Sequence, residues 1–220
     1  MTDGGWALWA VFRRGTPGHA PGTASSEPLA EVLESLAGTG VTTRGVYDVS
    51  GLRADADVLF WVHGDDPAAL QAAVRRIRRS TEIAPLVLTW SALGVHRDAE
   101  FNRSHVPGFL RGERARDWIS VYPFVRGYDW YVLPEDDRKR MLAEHGRKGA
   151  AFTSVVANTV SAFALGDYEW ILPLESDSLS DLVDMMRALR ATEARLHVNE
   201  ETPFFTGRRI ELDELAEVLA

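Results

Sequence analysis

Cysteine is absent from all 220 residues. That absence removes disulfide frameworks, thiolate catalysis, iron–sulfur clusters and Cys-based zinc sites together, so any metal must rest on His, Tyr or carboxylates. It is compatible with a reducing cytosol. Long apolar runs are missing too, and none approaches the ~20 residues that a membrane-spanning helix needs. The first residues, Met1-Thr-Asp-Gly-Gly-Trp6, lack a basic stretch followed by an apolar one, so no signal peptide is expected. Nor is there a basic excess: 24 Lys and Arg stand against 32 Asp and Glu, a net charge of −8. Nucleic acid is therefore not expected as the main partner, because phosphate binding needs clustered positive charge. Acidic small molecules remain open, since they answer to a local pocket. Walker loops, dinucleotide-binding glycine fingerprints, HExxH helices and nucleophile elbows are also lacking. Together these absences predict a cytoplasmic protein with no membrane span.

What is present follows a repeating order. The apolar pattern predicts a strand over residues 6–14, then an aperiodic Gly/Pro/Ser loop over 15–26. A helix is expected over 28–37, where Leu29, Val32, Leu33 and Leu36 recur at helical spacing. Strands are expected over 41–49 and 57–63, a helix with proline at its start over 67–79, and a strand over 83–90. This β-α-β-β-α-β order is the ferredoxin-like pattern. It recurs as a strand over 118–126, mainly helix over 134–155, strands over 159–165 and 169–174, and a helix over 179–190. Residues 203–206 would finish the sheet.

Self-similarity supports a duplication. Trp6 and Trp118, Phe12 and Phe124, and Asp55-x-Asp57 and Asp167-x-Glu169 each lie 112 residues apart. Leu29-Ala-Glu31 recurs at 142–144, an offset of 113. A near-constant offset across several elements argues for a repeated unit. The expected organisation is an N-terminal ferredoxin-like half over 1–92, a linker over 93–116 and a C-terminal half over 117–220. Tyr122 then corresponds to Ala10 and His145 to Val32. Polar, redox-capable groups in the second half replace small or apolar ones, which places function there.

Residues 121–146 gather a phenol, a guanidinium, an indole and an imidazole in one strand-then-helix segment. His145 lies on the helix, in Glu144-His145-Gly146. A lone histidine is ordinarily a packed or surface residue; the functional reading is an axial ligand to haem-type iron. Such a ligand needs an acceptor for its other N–H, expected from a carboxylate or carbonyl of a neighbouring strand. Tyr122 and Arg126 are four positions apart and share a strand face if Pro123 and Gly127 leave the strand regular. A cation and a phenol on one face suit a carboxylate ligand, and packing is the plainer alternative. Trp130 and Tyr131 continue the aromatic run, while Trp118 and Trp170 read as core or contact residues. His105 reads as a loop histidine. His19, His63, His96 and His197 have no supporting pattern, and His145 lacks a second histidine at helical spacing for a zinc site.

The ordered motifs YPFVRGYDWYVLP, EHGRKG, ALGDYEW and PFFTG resemble the chlorite dismutase-like superfamily, in particular its actinobacterial, coproheme-decarboxylating branch. The resemblance covers most of the chain and is strongest after residue 100. It implies an α+β fold of duplicated ferredoxin-like halves forming a dimeric α+β barrel within one chain, a homopentamer, and a porphyrin in the C-terminal half. The implied reaction is hydrogen-peroxide-dependent oxidative decarboxylation of iron coproporphyrin III (coproheme) to haem b through a monovinyl, monopropionate intermediate. The macrocycle is then substrate and redox cofactor at once, and a preceding ferrochelatase is a possible transient partner. Carried over by motif, His145 is the proximal ligand, Tyr122 the radical-forming residue and His105 the distal base. Arg126 and Trp130 fall where this branch contacts propionates, and Arg195 is a weaker candidate for one that is not consumed.

Departures sharpen the resemblance. Chlorite dismutases carry a distal arginine shortly after the proximal histidine, whereas Val156-Ala-Asn158-Thr159 offers none. The Firmicutes branch has a glutamine there and lacks the linker histidine. Three competing readings remain at this point. They are a haem-binding or haem-transfer protein without turnover, a generic or chlorite-decomposing peroxidase, and a scaffold whose aromatics merely pack.

Overall fold

A computed structural model describes residues 5–15, 25–97 and 106–220. The chain divides into two compact units, one built from its first 95 residues with Phe205–Ala220, the other from His96–Phe204. The first unit contains β1 (Trp6–Arg13), α1 (Leu29–Leu36), β2 (Val41–Asp48), β3 (Val58–Gly64), α2 (Pro67–Arg79) and β4 (Val87–Val95). The second contains β5 (Trp118–Arg126), α3 (Glu135–Ala150), β6 (Val156–Ala157), β7 (Val160–Ser161), β8 (Trp170–Ser176), α4 (Leu179–Arg190) and β9 (Val198–Glu200). The chain then returns to the first unit as β10 (Phe205–Ile210) and α5 (Leu215–Val218). The result is a mixed α/β fold in which the strand pairs described within each unit are antiparallel.

In the first unit β1 pairs with β4 on one side and β3 on the other, β3 pairs with β2, and β10 lies beside β2. Helix α1 buries Leu29, Val32 and Leu36, and α2 buries Leu70, Ala73 and Ile77. Both stripes follow the i, i+3, i+7 spacing of one helical face. They pack on Leu8, Ala10, Phe12, Phe60 and Val62. The opposite face of the same strands is buried too, with Trp9 and Trp61 at a ring separation of 5.3 Å. Burial on both faces explains why these strands read as continuous apolar runs. One boundary differs from expectation. Residues 80–86 form a turn, in which Ile83 N–H donates to Ser80 and Leu86 N–H to Ile83, and β4 begins only at Val87. Ile83 and Leu86 fill the core from that turn, so their apolar character did not mark a strand.

In the second unit β5 pairs with β8 along its length, from Trp118↔Ser176 to Phe124↔Trp170. β9 pairs with the other edge of β5, while β6 and β7 pair with β8. Helix α4 packs Leu182 and Met185 against Tyr122 and Leu174. Helix α3 is mostly polar, with Met141 its buried residue. Its first turn holds Glu135, Asp136 and Asp137 and its last turn Arg147 and Lys148, a distribution that suits the helix dipole.

Three expectations are corrected here. The helix expected over 134–155 stops at Ala150. The strand expected over 159–165 shrinks to β7, with β6 just before it, because the chain turns beyond Ser161 and Ala164 adopts a positive φ of 64°. The second unit is finished by β9, a short polar segment with no readable periodicity, whereas β10 pairs with β2.

The segment that precedes β5 is anchored firmly. Gly108 N–H donates to the Ala157 carbonyl at 3.3 Å and Phe109 N–H to Asn158 Oδ1 at 2.9 Å. The Asn158 amide in turn donates to the buried Glu175 carboxylate at 3.0 Å. Among the described residues, no helix is long and apolar enough to cross a membrane.

Candidate active site: a cavity in the second unit

Strand alternation brings Tyr122, Phe124 and Arg126 to one side of β5, where they line a cavity that opens to solvent. The β5–β8 ladder runs through Pro123 without a break, so the expected shared face of Tyr122 and Arg126 forms. His145 comes from α3 and Leu172 from β8. Met186, Leu189 and Arg190 come from α4, followed by Thr192, Ala194, Arg195, Val198 and Glu201 from the segment after it.

Tyr122 is 2% exposed and stacks on Phe204, with ring centroids 4.3 Å apart. Its hydroxyl donates to Met186 Sδ at 3.4 Å, a weak acceptor. Burial, and after it the Glu201 carboxylate, push the phenol well above its ordinary pKa. Tyr122 therefore stays protonated at neutral pH.

His145 lies one turn beyond the buried Met141 and so turns to the same inner face. Its Nδ1 is 3.5 Å from Thr192 Oγ1, and the Thr192 hydroxyl donates to the Leu189 carbonyl at 2.8 Å. With its proton committed, the threonine oxygen can only accept from Nδ1–H, which leaves the Nε2 lone pair for a ligand. The acceptor is thus a hydroxyl after α4 and not the strand carboxylate or carbonyl expected. Burial first, then the Arg126 charge, lower the imidazole pKa, with Glu144 opposing. Both favour the neutral, metal-binding form.

Arg126 is held against two aromatic rings. Its guanidinium lies 4.0 Å from the Trp130 ring and 4.9 Å from the Phe124 ring, and donates to the Ala194 carbonyl at 3.4 Å. Its backbone N–H donates to Glu169 at 2.8 Å. Trp130 is fully buried with Met141 and Ala194. It stands behind the guanidinium as a platform, where the sequence reading had it touching a propionate. Arg195 reaches the cavity, and Glu201 there lies 3.2 Å from it. His105 falls outside the described residues.

The donor set decides what metal chemistry fits. Among the described residues no group of three His, Cys, Asp or Glu could hold a metal ion. One imidazole suffices only for iron that arrives already chelated by a macrocycle. Apolar Phe124, Leu172, Leu189 and Val198 suit the face of such a ring, and Arg126, Arg190 and Arg195 suit acidic side arms. The residues therefore fit an iron porphyrin with carboxylate substituents.

Comparison with known proteins agrees. The family model described as chlorite dismutase matches residues 23–210. The chain belongs to the chlorite dismutase family. Within this chlorite dismutase family, the chain is 52% identical to the coproheme decarboxylase of Mycolicibacterium smegmatis, over 86% of this chain and 82% of the relative. It is 30% identical to a Halobacterium salinarum protein named for heme binding, across all of this chain and 50% of that one, so the chain spans about half that relative's length. A solved chlorite dismutase variant from Candidatus Nitrospira defluvii shares the fold, with a TM-score of 0.80 at 20% identity over 98% of this chain and 95% of the other.

Sequence reasoning missed Met186, Arg190, Thr192, Glu201 and Phe204. Arg190 closes a helix and Glu201 sits in an irregular polar stretch, so neither carries a spacing signal. Only the fold of residues 186–204 over β5 brings them to the cavity.

Proposed function

We propose that the protein binds iron coproporphyrin III in this cavity and converts it, with hydrogen peroxide, to haem b through a monovinyl, monopropionate intermediate. The observation that carries the reading is the convergence of Tyr122, Arg126 and His145 on one cavity. The 52% identical relative named coproheme decarboxylase supports it. The bound iron porphyrin supplies one-electron oxidising power from peroxide; everything else falls to the chain. His145 Nε2 holds the iron. Arg126, held over Trp130, grips a propionate and keeps its reacting carbon near the phenol, a positioning role. Arg195 holds a further propionate. Tyr122 is dry and protonated, so it can surrender a hydrogen atom, and the resulting tyrosyl radical takes one from the propionate carbon next to the ring. Loss of CO₂ and a second electron leaves the vinyl. Per group, propionate, peroxide and a proton give vinyl, CO₂ and two waters. His105 serves as the base that deprotonates peroxide.

The same reading includes duplicated ferredoxin-like halves, with residues 93–116 as the linker between them. The strand orders β4-β1-β3-β2 and β9-β5-β8 followed by β6 and β7 obey one scheme, which supports duplication. It also includes a homopentamer, transient contact with the preceding ferrochelatase and a cytoplasmic setting. The deciding experiment is mass analysis of the porphyrin after peroxide titration. Two successive losses of CO₂ plus two hydrogens are expected. A changed absorption spectrum with no change in mass would instead make this a haem-binding protein without turnover.

A further inference from the structure

Glu201 occupies an unusual place in a cavity read as a carboxylate-binding site. The same oxygen, Oε2, accepts from the Arg190 guanidinium and lies 3.2 Å from that of Arg195. All three side chains line the cavity. The Glu201 side chain is only 16% exposed, whereas Arg190 and Arg195 are 39% and 37% exposed. The carboxylate is thus the inner member and the two cations are the reachable ones. Two guanidiniums converging on one oxygen make the arrangement a ligand carboxylate would seek, and a charge-assisted pair is among the stronger polar contacts available.

We propose that Glu201 is a built-in carboxylate that competes with a ligand carboxylate for Arg190 and Arg195, making it a specificity-determining residue for polyacidic ligands. This rests on the porphyrin reading above. With Glu201 seated, three cavity arginines face one internal acid, and a ligand carboxylate must displace or share that seat. The apparent affinity is then the intrinsic affinity scaled by the fraction of molecules whose guanidiniums are released. A ligand bearing several carboxylates gains by taking the seat, while one without them gains nothing. Glu201 also bears on Tyr122, whose phenol it helps to keep protonated.

The test uses the full chain and metal-free coproporphyrin III, followed by porphyrin fluorescence, with the tetramethyl ester as the carboxylate-free control. Glu201→Gln keeps the shape and removes the charge. It should bind the tetra-acid roughly tenfold more tightly than wild type, with the ester unchanged. Arg190→Gln should bind the tetra-acid roughly tenfold more weakly, again with the ester unchanged. Equal or weaker tetra-acid binding by a Glu201→Gln protein of unaltered melting temperature overturns the competition. So does a parallel gain for the ester, or unaltered binding by Arg190→Gln. Failure of the wild type to bind the tetra-acid at all would instead remove the porphyrin reading on which the proposal stands.

Discussion

Tyr122 combines a buried ring, a stacking partner and a hydroxyl whose protein partner is a thioether. Replacing it by phenylalanine keeps the ring stack and forfeits only a weak contact, so stability should change by less than ~1 kcal/mol. Iron coproporphyrin should still bind to Tyr122→Phe, while decarboxylation slows by about two orders of magnitude or more. Normal conversion, measured by product mass, would remove the phenol from the chemistry. His63 makes a different residue-level prediction. Burial first, then Arg44, lower its pKa from 6.5 to about 4, with Asp65 opposing. Between those values the unfolded chain binds a proton that the folded chain refuses, so stability falls as pH drops from 6.5 to about 4. Melting temperatures across that window should decline, and His63→Gln should flatten the decline. An identical slope in the variant would show that other groups carry it.

At the scale of elements, the site depends on one strand face, one polar helix and the segment after α4. Helix α3 contributes little burial of its own, so its seat depends on Met141 and on pairs such as Arg140 with Glu193. The segment before β5 is held more tightly. A Cβ on Gly108 would lie 2.2 Å from Val156 Cγ1 and 3.2 Å from Asn158 Oδ1. Neither neighbour is the tip of a long flexible chain, so Gly108→Ala should destabilise the protein by ~1–3 kcal/mol, the usual cost of overpacking. Thermal melts should show a drop of several degrees. An unchanged melting temperature would mean that the β6 segment shifts freely, and the anchor would then be looser than its hydrogen bonds indicate.

For the molecule as a whole, charge acts at two ranges. The chain carries −8 overall, yet the cavity presents Arg126, Arg190 and Arg195 against Glu201. A polyacidic ligand is repelled at a distance and held on arrival. Salt screens exposed charges beyond a Debye length of ~10 Å at 0.1 M. Raising ionic strength should therefore speed association of coproporphyrin III and speed its release more, weakening the final complex. Stopped-flow fluorescence at low and moderate salt reads both rates. An association rate that falls with salt would show that the local arginines, and not the net charge, govern the approach.

Much of this was legible in the chain itself. Continuous apolar runs and helical spacing located the principal strands and helices, because the central strands are buried on both faces and each helix of the first unit buries one stripe. The ordered motifs around Tyr122 and His145 pointed to the family, and strand alternation alone put Tyr122 beside Arg126. Tertiary structure decided the rest. The partners of His145 and Arg126, namely Thr192 and Ala194, lie with Arg195 and Glu201 on a segment without periodicity, while Arg190 closes α4, and long-range packing decides that they meet. It also sent β10 to β2 and left Val198–Glu200 to finish the second unit. Edge pairing of that kind is settled by backbone hydrogen bonds between distant segments, and no local run of side chains encodes it.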